Sequence, residues 1–258
     1  MQALQTPSRL GSTRVHGAAG LSLQPAPWPA REENPVVGIA ADDIGALALA
    51  CLRDPQSAKA VVDDWIRRGV ELETIYLQGI AGACQVFGHW WQEDRVDFAS
   101  VTLAGATIQS VLYELSPVFL EHANENTNGY SVLFVRSPAS QHSIGGFMLR
   151  EFFRRSGWSV SDVVLENQSQ VQPLVQSEWF DLIGYSMCSD VCLELSRSLF
   201  PNIRRHCANQ RVQIMVGGPM AMANPAFAKE TGADLVGSDA RDSQRLALQC
   251  VTALGRDR

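Results

Sequence analysis

The chain has 258 residues, 46% of them hydrophobic and 19% charged, with a formal net charge of −6. Those proportions are those of a globular protein long enough for two modest cores. They disfavour sequence-independent binding to nucleic-acid phosphates, and no segment approaches the roughly 20 unbroken apolar residues of a membrane helix.

The N-terminus lacks the basic-then-apolar pattern of a secretory signal. Six cysteines (Cys51, Cys84, Cys188, Cys192, Cys207 and Cys250) are scattered without a CxxC pair. They read as packed thiols of a reducing compartment, so the cytoplasm is the expected location.

Residues 1–35 hold Pro7, Pro25, Pro27, Pro29 and Pro35 with three glycines and no apolar periodicity, and are expected to be a disordered tail. From 36 to 125 every periodic segment is helical. One helix spans Ile44–Leu52. Asp54-Pro55-Gln56 opens a second that ends at Gly69. A third starts near Glu73 and closes with Phe87-Gly88-His89-Trp90-Trp91, and a fourth runs from about Asp97 to Leu115. Four helices with short connections make a bundle. The polar, glycine-ended stretch 124–129 is the expected linker.

After Gly129 strands and helices alternate. Strands are expected at Tyr130–Val135, Ser159–Leu165, Leu182–Ser186, Val212–Val216 and Asp234–Val236, with helices near 145–156, 171–179, 192–207, 225–231 and 241–254. This pattern predicts an α/β domain over 129–258, a flavodoxin-like (Rossmann-type) doubly wound parallel five-stranded sheet in the order 2-1-3-4-5. Three unusual loops follow strands 1, 3 and 4 and are expected to converge on one edge. They are Ser140-Gln141-His142-Ser143-Ile144-Gly145, Ser186-Met187-Cys188-Ser189-Asp190, and Gly217-Gly218-Pro219.

Taken singly these residues are unremarkable. A lone histidine such as His142 is more often a surface residue than a ligand, Ser186 could be an ordinary strand-end hydroxyl, and Gly217-Gly218 could simply end a strand. Gly145 permits close backbone approach of a bulky group. Cys188 and Cys192 lie near the same edge and read as packed thiols. No nucleophile–His–Asp or paired acid/base constellation stands at the expected spacing. The short basic run Arg204-Arg205-His206 falls on a helix face, where solvated charge is the default.

Together, H-x-x-G at 142–145, the strand-end Ser186 and the pair Gly217-Gly218 resemble the cobalamin-binding domain, and the helices before them resemble its four-helix cap. The resemblance covers about residues 45–255. It implies that His142 ligates cobalt from below, that Ser186, Gly217 and Gly218 line the slot for the cofactor's nucleotide tail, and that Trp91 sits over the corrin. In the family pattern D-x-H-x-x-G the aspartate orients and charges the histidine; here the position is Ser140, which lacks that charge. Histidine ligation of haem therefore stays open as an alternative. Counting from Trp91, the Glu-His pair of the light-sensing cobalamin subgroup would fall on Val101 and Thr102, so the expected cofactor is a cobalamin with a hydroxo or other small upper ligand, with His89 as a substitute from the protein.

Trp90-Trp91, Asp97-Phe98 and the segment Met215–Met220, with the proline-rich head, narrow the resemblance to the cobalamin-binding antirepressors of purple photosynthetic bacteria, the AerR/PpaA type. That implies a non-catalytic, light- or redox-responsive transcription regulator, a photoreceptor-like protein whose partner is a transcriptional repressor of pigment and photosystem genes. Neither membrane binding nor direct nucleic-acid binding by the chain alone is expected. The alternatives are a corrinoid carrier for a methyltransferase, which Ser140 argues against, a haem sensor with the same fold, and a corrinoid-free α/β protein.

Overall fold

The computed structural model describes residues 38–121, 123, 127–137, 143–165, 170–224, 226 and 230–255, all of them within one compact unit, 33–258. The expected tail at 1–35 and the first half of the expected linker, 124–126, lie outside the described residues.

The helical part begins with α1 (Ala41–Cys51) and α2 (Pro55–Arg67). The Asp54 carboxylate caps α2 by accepting from the Ser57 backbone N–H at 2.7 Å, and Pro55 occupies the first helical position. Gly69, at φ +79°, ends it in a left-handed turn. The third helix, α3, runs through three contiguous pieces: Leu72–Thr74, a π-helical segment Ile75–Ile80, and Ala81–Gln92. Nothing in the apolar pattern marks the π segment, because the i, i+4 spacing of the buried Ile75, Gly79, Ala83 and Phe87 suits an α-turn and a wider turn alike. Trp65 explains why its glycine is there: a Cβ at Gly79 would collide with the Trp65 ring.

Helix α4 (Phe98–Phe119) is capped by Asp97, which accepts from the Ser100 N–H at 2.7 Å. It continues past the expected end at Leu115 and carries Pro117 in its last turn. Burial of Leu115 and Phe119 offsets the hydrogen bond that the proline removes.

The second part is a parallel sheet in the order β2-β1-β3-β4-β5, as the sequence predicts. Its strands are β1 (Ser131–Arg136), β2 (Ser159–Val164), β3 (Leu182–Ser186), β4 (Gln213–Gly217) and β5 (Leu235–Val236). The helices are α5 (Ser143–Arg155), α6 (Val171–Ser177), α7 (Asp190–His206), α8 (Pro219–Ala223) and α9 (Ala240–Leu254). Most of the expected helix at 225–231 falls outside the described residues, and the short α8 was not foreseen.

Alternate residues of each strand go to opposite cores. Val132, Phe134, Leu182 and Met215 pack with Phe153, Trp158 and Val251, whereas Leu133, Val135, Ile183, Ile214 and Val216 pack with Val175, Leu199 and Ile203. Gly184 leaves room for the Phe134 ring from the neighbouring strand, where a Cβ would stand 2.5 Å from it.

The helical part is fastened to α5 and α9. Phe147, Met148 and Phe152 of α5 belong to its core, Tyr76 stacks on Phe119 at 4.3 Å, and Phe119 meets Phe152 at 5.1 Å. Polar contacts frame this seam. Ser116 Oγ donates to the buried Glu151 at 2.5 Å, Arg155 donates to the Phe119 carbonyl at 3.0 Å, and Glu73 holds Arg241 at 2.7 Å.

The basic run on α7 departs from expectation. Arg204 is not simply solvated: it pairs with Asp234 at 2.7 Å and donates to the Gly232 carbonyl at 2.9 Å. It therefore ties α7 to the approach to β5. The reason is tertiary and invisible in the local charge pattern. Among the described residues, no helix is long and apolar enough to cross a membrane.

Candidate functional site

β1, β3 and β4 are neighbours, so the residues that follow their carboxyl ends share one edge, at the point where the strand order reverses between β1 and β3. Ser186 and Gly217 stand opposite each other in register at the ends of β3 and β4. Beyond them the two loops remain locked together. The Met187 N–H donates to the Gly217 carbonyl at 2.8 Å, and the Met220 N–H donates to the Met187 carbonyl at 3.2 Å.

Glycine is required here. Gly218 has φ +98°, and a Cβ on it would stand 2.7 Å from the Met187 carbonyl oxygen. A Cβ on Gly217 would lie 3.3 Å from the Gly237 carbonyl. Gly237, beyond β5, was missed in the sequence although Val-Gly-Ser echoes Val-Gly-Gly; a Cβ there would run into the Ser243 side chain. The result is close backbone-to-backbone packing of the loops on the β4 side of the edge.

The β1 side reaches the same place through Ser137, which is buried and hydrogen-bonded to the Cys192 sulfur. Ser140 and His142 lie outside the described residues. Gly145, in the first turn of α5, is exposed, and nothing lies within 4 Å of where its Cβ would be. Alongside, Arg136 and Arg150 share one carboxylate, Asp162, at 3.2 and 3.9 Å. Burial, the main cause, lowers the Arg150 pKa from its ordinary value.

The helical part presents an open face. Phe98, Thr102, Gly105, Gln109 and Tyr113 recur at helical spacing along α4, and at the far end of the stripe Tyr113 meets Phe147 of α5 edge-on at 5.1 Å. Phe98 is 72% exposed, and both Gly105 and Gly88 of α3 have nothing within 4 Å of a Cβ position. Trp90 and Trp91 divide as adjacent helical residues do, with Trp90 in the core at 1% exposure and Trp91 outside at 55%. His89 is exposed and pairs with Glu93 at 3.1 Å. The Thr102 hydroxyl is engaged by the Phe98 carbonyl at 2.7 Å.

The described residues thus bring Ser186, Gly217 and Gly218 together, set Gly145 at the start of α5, and leave Trp91 exposed on the helical part. Sequence reading missed the α4 stripe, whose signal was the spacing of Phe98, Thr102 and Gly105. The exposed aromatic and glycine positions on the cap and at the start of α5 are compatible with a large planar group, while the expected ligand His142 lies outside the described residues. Glycines allow close approach from three elements, exposed aromatics offer stacking area, and no group of three or more metal-ligating His, Cys, Asp or Glu competes among the described residues.

Fold and edge together define a helix-capped, doubly wound α/β protein whose glycine-rich loops meet at the switch point. Residues 130–245 match the family model described as "B12 binding domain". The chain is 27% identical over 181 residues to a Rhodobacter capsulatus protein described as an uncharacterized 20.5 kDa protein in the bchF-crtJ intergenic region. That alignment covers 69% of this chain and 92% of the relative. Among solved structures, the chain is similar to the monomethylamine corrinoid protein of Methanosarcina barkeri. The TM-score is 0.69 at 16% identity, covering 82% of this chain and all of that one, a likeness of fold.

Proposed function

We propose that this protein binds a cobalamin between the open face of its helical cap and the carboxyl edge of its sheet, and works as a non-catalytic transcription regulator by binding a repressor. The observation that carries the reading is the glycine pair that closes β4 at the switch-point edge. Gly217 and Gly218 bring bare backbone to the end of β4, within a segment that matches the B12 binding domain. In this reading Ser186, Gly217 and Gly218 line the slot for the nucleotide tail, His142 supplies the lower cobalt ligand with Ser140 orienting its ring, and Gly145 gives the corrin room. Trp91 and the α4 stripe cover its upper face.

The bound group would contribute an exchangeable upper ligand. The α4 face would touch that group, and the seam formed by α5 with Tyr76 and Phe119 would couple the face to the rest of the cap. The relative in the bchF-crtJ intergenic region supports the regulatory half of the reading, in line with the resemblance to antirepressors of pigment and photosystem genes.

The test is cofactor-dependent binding to such a repressor, followed in light and dark with wild-type protein and His142→Ala. The variant is expected to lose the cofactor-dependent part of binding. Equal cofactor-dependent binding by both would overturn the proposal.

A further inference from the structure

Four of the cysteines behave as packing residues, but Cys188 and Cys192 do not. Their sulfurs lie 3.3 Å apart across the start of α7, with Cys188 just before the capping Ser189 and Cys192 in the first turn. Both backbone ends of the pair are anchored. Met187 is held by the Gly217 carbonyl and the Met220 N–H, and the Tyr185 hydroxyl donates to the Cys192 carbonyl at 2.8 Å. A disulfide needs only about 1.3 Å of further approach between the two sulfurs.

We propose that Cys188 and Cys192 form a redox-active dithiol site at the carboxyl edge of the sheet, oxidised to an intramolecular disulfide by a low-molecular-weight disulfide of the glutathione class. Cys188 is half-buried and is the sulfur an oxidant reaches first, whereas Cys192 is fully buried behind it. The Cys188 thiol gives up its proton, and its sulfur attacks one sulfur of the oxidant. The oxidant's S–S bond breaks and one thiolate leaves. The Cys192 thiolate then attacks the Cys188 sulfur, the mixed disulfide breaks, and the second thiolate leaves. The two departing thiolates take up the two protons that the protein released, so one disulfide is reduced as the other forms.

The surroundings favour the resolving step. Burial opposes ionisation of the Cys192 thiol, but hydrogen bonds from Ser189, from the backbone and side chain of Cys188, and from Ser137 outweigh it and bring its pKa below the ordinary value. Closing the bond shifts the Cys192 sulfur, which the Ser189 hydroxyl now contacts at 3.4 Å, and so bears on the residue that caps α7. This inference stands apart from the cobalamin reading, since none of its steps involves that cofactor.

The experiment uses the reduced full-length protein, oxidised glutathione, an acid quench, alkylation and tryptic mass analysis. Residues 156–197 form one tryptic peptide that contains Cys188, Cys192 and no other cysteine. The expected result is a loss of two hydrogen masses from that peptide, with Cys51 and Cys84 still alkylatable after unfolding. In Cys192→Ser, Cys188 should carry a persistent glutathione adduct, because nothing resolves it. The proposal is overturned if the wild-type peptide stays reduced, if both cysteines carry separate adducts, or if either pairs with a different cysteine.

Discussion

The interior of the helical cap and the carboxyl edge of the sheet are built from similar residues and do opposite things. In the interior, Trp65, Tyr76, Trp90 and Phe119 are all but inaccessible, and Gly79 and Gly82 are glycines because Trp65 and Ile44 occupy the space of their side chains. At the edge and on the cap's outer face, Gly88, Gly105 and Gly145 have open space beside them, and Trp91 and Phe98 face outward. The cysteines divide the same way. Burial pushes the Cys51 thiol up to about 12, helped by the negative charge of Cys84, and burial alone does the same to Cys84, while the hydrogen-bonded Cys192 moves down. A glycine or a thiol therefore reports function only when its neighbours are known: one set fills a core, and the other leaves room for a guest.

The largest effect should come from breaking the closed region. Trp65→Ala removes a side chain with 1% exposure and should cost about 3–5 kcal/mol of stability, read as a lower urea midpoint. At the edge, Gly218→Ala forces a Cβ into a φ of +98° and against the Met187 carbonyl. The expected loss is about 1–3 kcal/mol, with a further loss of cobalamin affinity that Trp65→Ala does not share once the protein is folded.

The buried thiols sharpen the contrast through pH. Their folded pKa of about 12 lies above the ordinary 9.0, so the native state keeps protons that the unfolded chain releases. Their contribution is complete below about pH 9 and is lost as pH rises towards 12. Urea midpoints measured between pH 8 and 11 should fall in that window, and Cys51→Ala should flatten the fall. The smallest effect on stability belongs to Phe98→Ala on the open face, within about 0.5 kcal/mol. The same change should weaken cobalamin binding about tenfold, as expected for one aromatic contact, and equilibrium dialysis would show it.

Much of the fold was legible because its signals are local. Val-rich strands alternating with amphipathic helices pointed to a flavodoxin-type sheet, whose usual strand order is the one observed, and Asp54 and Asp97 announced the helices they cap. The candidate site was legible where backbone conformation demands a residue type, as at Gly218. What stayed hidden depends on neighbours far along the chain. The pairing of Arg204 with Asp234, the clash that makes Gly237 a glycine, and the meeting of Cys188, Cys192 and Ser137 across two strands leave no spacing to read. The π segment in α3 was hidden for a different reason, since it alters hydrogen bonding without altering which residues are apolar.

The most direct measurement is the absorption spectrum of the protein mixed with hydroxocobalamin, with haem tried separately, for wild type and His142→Ala. The account predicts that wild type shifts the corrin bands and retains the cofactor through gel filtration, and that His142→Ala loses the shift. A shift of the haem Soret band alone, or a corrin shift that survives in His142→Ala, would contradict it.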